Sequence, residues 1–191
     1  VTCSVVVLAS GSGTLCQALI DAVRDSRVDA RVAAVVSDRS DAGVLTRARA
    51  AGIPAVAHPL ARGADRAAWD EELTSIVDGF APDLVASAGF MKLLGASFLA
   101  RFGGRVINTH PSLLPAFPGM HGPRDALAAG VKLAGATVFV VDAGIDTGRI
   151  LLQGAVDVLP DDDVETLHER IKVVERRLLV QAVDDWKKEH P

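Results

Sequence analysis

Cysteine is scarce in this chain: Cys3 and Cys16 are the only two, and neither belongs to a Cys-x-x-Cys or Cys-x-His arrangement. One pair makes no disulfide framework, so two free thiols in a reducing cytosol are expected. The histidines His58, His110, His121, His168 and His190 show no His-Glu-x-x-His or other zinc spacing, so no metal is expected. No apolar run reaches membrane-spanning length, and the opening Val1-Thr2-Cys3-Ser4-Val5 lacks the charged head of a secretory signal. The expectation is a cytoplasmic protein with no membrane partner. Clustered Lys and Arg are also missing, and the formal net charge is -4, which leaves nucleic-acid binding without support. There is no internal repeat, linker or low-complexity segment.

What is present is an ordinary globular composition, 49% hydrophobic and 23% charged over 191 residues. That length fits one domain, 1–191, with a core that needs no staples. Val-rich runs at 3–9, 32–36 and 84–88, with a shorter one at 54–57, read as buried strands. Between them, helical spacing covers 15–24, 43–51 and 66–77, the last with Trp69, Leu73, Ile76 and Val77 inward. Such alternation predicts a parallel sheet with helices on both faces. The second half differs. A strand at 105–109 enters a proline-rich loop at 111–123, then a short helix at 124–129. Strands near 134–141 and 149–158 are joined closely enough to be antiparallel. A long helix from Val164 to about Lys187 ends the chain, with Asp162 and Glu165 in a capping-box pattern. The fold class expected is α/β: a Rossmann-like, mostly parallel sheet extended by C-terminal antiparallel strands and a long C-terminal helix.

Four groups of residues carry chemistry. Ser10-Gly11-Ser12-Gly13-Thr14 lies between the first strand and first helix, where free N–H groups can receive a phosphate. It lacks the lysine of a P-loop, and Cys16 replaces the third glycine of a dinucleotide fingerprint. Asp38 after the second strand could hold a ribose, so a nicotinamide enzyme stays open. Asn108-Thr109-His110-Pro111 places an amide and an imidazole on the same side of a strand end. That pair can polarise a carbonyl and hold an oxyanion. Asp142-Ala143-Gly144-Ile145-Asp146-Thr147-Gly148 is a turn that could bring a carboxylate to that histidine. Glu175 lies at the edge of the inward stripe Val164, Leu167, Ile171, Val174 and Leu178, where a carboxylate needs a partner. An ion pair with a nearby Arg and a hydrogen bond to a ligand both fit.

Residues 87–148 resemble the folate-dependent formyltransferase family. The likeness rests on Asn108-x-His110-Pro111-Ser112-Leu113-Leu114-Pro115, on Asp-x-Gly-Ile-Asp-x-Gly ending at Gly148, and on Ala88 to Leu94 and Phe117 to His121. It extends over nearly the whole chain and is strongest to the branch that formylates glycinamide ribonucleotide in purine synthesis. The resemblance implies a nucleotide-binding half at about 1–100 and a folate-binding, catalytic half at about 101–191. It implies 10-formyltetrahydrofolate as co-substrate and Asn108, His110 and Asp146 as the catalytic trio. The ribonucleotide would meet Gly13, Thr14, Leu15, Lys172 and Glu175. The folate would meet Arg66, Met91, Lys92, Leu93, Leu94, Asn108 and the stretch Asp142, Ala143, Gly144, Ile145, Asp146. Leu15 stands where the family often has Asn, so only its backbone N–H can serve a phosphate.

Formyltetrahydrofolate hydrolase, with water in place of the amine, is the nearest alternative by this likeness. The methionyl-tRNA enzyme carries a further C-terminal domain, which the sequence is not expected to supply. The partners expected are two small substrates, and a homodimer is left open.

Overall fold

The computed structural model describes residues 2–190. Its first five strands are β1 (Cys3–Leu8), β2 (Ala30–Ser37), β3 (Ala55–Ala57), β4 (Leu84–Ser87) and β5 (Val106–His110). Helices α1 (Thr14–Arg24), α2 (Gly43–Ala50), α3 (Arg66–Asp78) and α4 (Ala96–Phe102) alternate with them. After β5 come α5 (Gly122–Ala128), β6 (Leu133–Val140), β7 (Ile150–Asp157) and α6 (Val164–Glu189). The seven strands form one sheet in the order β3-β2-β1-β4-β5-β6-β7. β1 to β5 pair in parallel, whereas β6 and β7 add antiparallel. The α/β class and the antiparallel extension expected from the sequence are both present.

Strand alternation sorts the core into two layers. Val5, Val7, Leu84, Ala86 and Ile107 face α1, α2 and α6. Val6, Leu8, Val85 and Val106 face α3 and α4, against Trp69, Leu73, Phe98 and Phe102. β1 is buried on both faces along its length, which is why it reads as an unbroken apolar run. The chain order reverses direction between β1 and β4, so the segments leaving these strands diverge and open a crevice at their C-terminal ends.

Two elements depart from the sequence reading. Helix α4 has no side-chain cap of its own. Its N-terminus is held by Asp70 of α3, whose carboxylate accepts from the N–H of Gly95 at 2.7 Å and of Phe98 at 3.1 Å. The cap of α6 is Asp163, paired reciprocally with Thr166, and not Asp162 with Glu165. Asp162 instead takes both ends of the Arg170 guanidinium, at 2.7 and 2.8 Å, and the N–H of Leu159. Val164, expected inward, is exposed, while Leu167, Ile171 and Leu178 are buried.

Candidate active site

A single cavity of about 710 Å³ occupies the crevice. Its walls come from the loop after β1, residues 87–94 at and beyond the end of β4, the end of β5, the loop after it with the start of α5, the loop before β7 and the inner face of α6.

The first wall is the glycine loop. Gly13 is the N-cap of α1 in a left-handed conformation, φ 78°, with no side-chain cap. The N–H groups of the first helical turn are therefore left for an anion. Gly13 also has a packing reason to be glycine, since a Cβ there would lie 2.6 Å from Val44. Gly11 has none: a Cβ would meet nothing within 4 Å. It borders the open cavity, where a ligand can approach its backbone. The Leu15 side chain is in the core, so its backbone alone belongs to the loop.

At the end of β5, Asn108 and His110 both line the cavity. Among the described residues, no hydrogen bond holds the Asn108 amide. His110 is buried, with Nε2 2.9 Å from the Phe117 carbonyl and Nδ1 3.5 Å from Asp146 Oδ2. Both ring nitrogens thus face oxygen atoms. Asp146 is placed by its backbone, φ 55°, and by the Gly119 N–H, which donates to Oδ2 at 2.7 Å. Phe117 also has a positive φ, 53°. Two non-glycine residues in this region, one on each side of His110, are strain of the kind that collects at functional sites.

On the opposite face of β5, Thr109 points towards α6. Glu175 there is buried, and burial pushes its carboxyl up to about 7, against the lowering influence of the Thr109 hydroxyl, Lys172 and Arg176. Thr109 Oγ1 is itself buried without a partner of full hydrogen-bond geometry. Lys172 lines the cavity beside Glu175 and pairs with Glu169 at 2.5 Å. His168, one turn earlier, also lines it; burial, then Lys172, lowers its pKa. The sequence reading gives His168 no role, although its i, i+4 relation to Lys172 marks the same helix face.

The remaining wall is apolar. Met91, Leu93 and Ile145 are 62%, 65% and 56% exposed at the cavity's edge, unusual for large apolar side chains and fit for a flat, largely apolar ligand. Lys92, Leu94 and Gly144 line the same region. Arg66, Asp142 and Ala143 do not line the cavity. Arg66 lies over the Trp69 ring and donates to the Leu93 carbonyl, so it meets the wall at its backbone. Asp142 closes its own loop, accepting from Gly144 N–H at 2.9 Å and Thr147 Oγ1 at 2.7 Å.

Asp38 answers the nicotinamide alternative. It is buried and already engaged by Ser10 Oγ at 2.5 Å and Lys92 Nζ at 3.5 Å, and it does not line the cavity. A carboxylate so committed is not presented to a ribose. Among the described residues, no three His, Cys, Asp or Glu side chains converge as a metal site, and no helix is long and apolar enough to cross a membrane.

Comparison with known proteins bears on the family and the fold. The family profile described as Formyl transferase matches residues 3–183. The chain is 57% identical over 178 residues to phosphoribosylglycinamide formyltransferase of Mycobacterium tuberculosis, covering 93% of this chain and 82% of that one. The crystal structure of glycinamide ribonucleotide transformylase 1 from Symbiobacterium toebii superposes with a TM-score of 0.93 at 46% identity, over 96% of this chain and 86% of that one. Phosphoribosylglycinamide formyltransferase from Brucella melitensis gives 0.91 at 41% identity, over 97% and 96%.

Proposed function

The chain belongs to the formyl transferase family, and we propose that it moves the formyl group of 10-formyltetrahydrofolate onto the amine of glycinamide ribonucleotide, a step of purine synthesis. The observation that carries this reading is one cavity lined by an anion-ready helix terminus, by exposed apolar side chains and by Asn108, His110 and Asp146 together.

The phosphate of the ribonucleotide sits against the backbone of Gly13, Thr14 and Leu15. Glu175 takes the ribose hydroxyls, with Lys172 and the Thr109 hydroxyl beside it. The pterin lies along Met91 to Leu94 and the loop carrying Gly144 and Ile145. These placements put the two substrates on opposite faces of β5 and bring the amine to the formyl carbon at the strand's end.

The amine nitrogen attacks the formyl carbon and a C–N bond forms, leaving an oxyanion. The Asn108 amide and the Nδ1–H of His110 donate to that oxygen. At 3.5 Å from Asp146, this N–H is not committed to a full hydrogen bond. Asp146, beside the ring, takes a proton from the amine through water. The C–N bond to the folate then breaks, and the proton passes to the departing nitrogen.

Following donor absorbance with and without glycinamide ribonucleotide tests the reading. Turnover that requires the ribonucleotide supports transfer. Turnover without it identifies a hydrolase.

A further inference from the structure

The folate wall, residues 90–95, is neither helix nor strand. A segment without its own ladder holds a shape only if something else supplies the hydrogen bonds. Part of the support comes from Asp38, a carboxylate the proposed reaction does not use. Asp38 Oδ1 accepts from Ser10 Oγ at 2.5 Å, and Ser10 Oγ in turn accepts from the Met91 N–H at 2.7 Å. Asp38 Oδ2 lies 3.5 Å from Lys92 Nζ. Asp38 and Ser10 are both almost wholly buried, 6% exposed each, so the contact between them acts with little screening by water.

The direction of the chain of hydrogen bonds matters. A free serine hydroxyl can rotate and offer either its hydrogen or its lone pairs. With its hydrogen drawn to Asp38, Ser10 has only lone pairs to turn towards Met91 N–H. Ser10 also begins the glycine loop, and its own N–H donates to the Gly89 carbonyl at 3.0 Å. It therefore holds the segment after β4 at two points, Gly89 and Met91, while its backbone continues into the loop proposed for the phosphate.

We propose that Asp38 is a positioning residue for the folate site, acting through Ser10 and Lys92 to fix residues 91 and 92 in the conformation that receives the pterin. It touches no substrate. This rests on the folate reading given above and adds to it a specific support that lies in another part of the chain.

The test is steady-state kinetics of the full chain with each substrate varied in turn, for wild type, Asp38→Ala, Asp38→Asn and Ser10→Ala. Asp38→Ala is expected to raise the KM of the formyl-folate donor about tenfold, the scale of one lost charge-assisted hydrogen bond. The ribonucleotide KM is expected to stay within about twofold. Asp38→Asn keeps an acceptor for Ser10 and is expected to recover most of the donor affinity. Ser10→Ala should behave like Asp38→Ala, and it decides the question if Asp38→Ala does not fold. An unchanged donor KM in the folded variants, or an equal rise for both substrates, overturns the positioning role. A wild-type protein that turns over no folate donor overturns the folate reading itself, and this inference with it.

Discussion

Asp146 Oδ2 stands 3.5 Å from His110 Nδ1, although His110 ends strand β5 and Asp146 lies in the loop before β7. The contact depends on two devices: the left-handed backbone at Asp146, φ 55°, and the Gly119 N–H that holds the same carboxylate oxygen. The proposed chemistry therefore hangs on the loop before β7 being held against the loop after β5.

Removing either partner should cost rate and not folding. His110→Ala and Asp146→Asn are expected to lower kcat by about two to four orders of magnitude, the span usual for a lost general acid-base or oxyanion donor. Circular dichroism should be unchanged. Full turnover in either variant removes that residue from the mechanism.

Glu175 gives a pH signature. Its carboxyl is raised by burial from 4.5 to about 7 in the folded chain. The folded state therefore holds this proton more tightly, so the contribution is fully present below pH 4.5 and is lost as pH rises through 7. The loss amounts to about 3 kcal/mol. Glu175→Gln should be more stable than wild type at pH 8 in denaturant titrations, with the gap closing towards pH 4.5. The same variant should bind ribonucleotide at least about tenfold more weakly, since a carboxylate suited to two hydroxyls is gone. Equal stability at pH 8 contradicts the burial argument.

The two loop glycines should behave differently. Gly13→Ala forces a methyl group to 2.6 Å from Val44 at a left-handed backbone, and is expected to cost roughly 2 kcal/mol or more of stability. Gly11→Ala meets nothing within 4 Å, so stability should stay within about 0.5 kcal/mol. Its methyl enters the cavity, and ribonucleotide affinity should fall. Calorimetric titration paired with denaturation midpoints reads both effects.

The thiols should be silent. Burial pushes Cys3 up to about 11 and Cys16 up to about 12. Neither should react with a disulfide reagent in the native protein at pH 8, and both should react after unfolding. Fast labelling of the native chain contradicts their burial.

The sequence carries the site better than it carries the supports. The strand-to-glycine-loop junction at Ser10 to Thr14 and the two-residue spacing of Asn108 and His110 are local patterns, legible in the order of residues alone. Helix α4 is not local: its N-terminus is satisfied by Asp70 of another helix, and nothing in residues 95–102 announces it. At α6, Asp162 and Asp163 both precede a polar residue three positions on. Only the folded chain, by giving Asp162 to Arg170, decides which one caps. Asp38 reads as a ribose ligand because it follows a strand. Its burial against Ser10 and Lys92 depends on segments far apart in sequence.

The most direct test of the account is the fate of an isotope-labelled formyl carbon on the folate donor, followed by mass spectrometry with glycinamide ribonucleotide present. The account predicts that the label appears on the ribonucleotide's amine, in step with donor consumption. Label recovered as free formate, at a rate indifferent to the ribonucleotide, would contradict it.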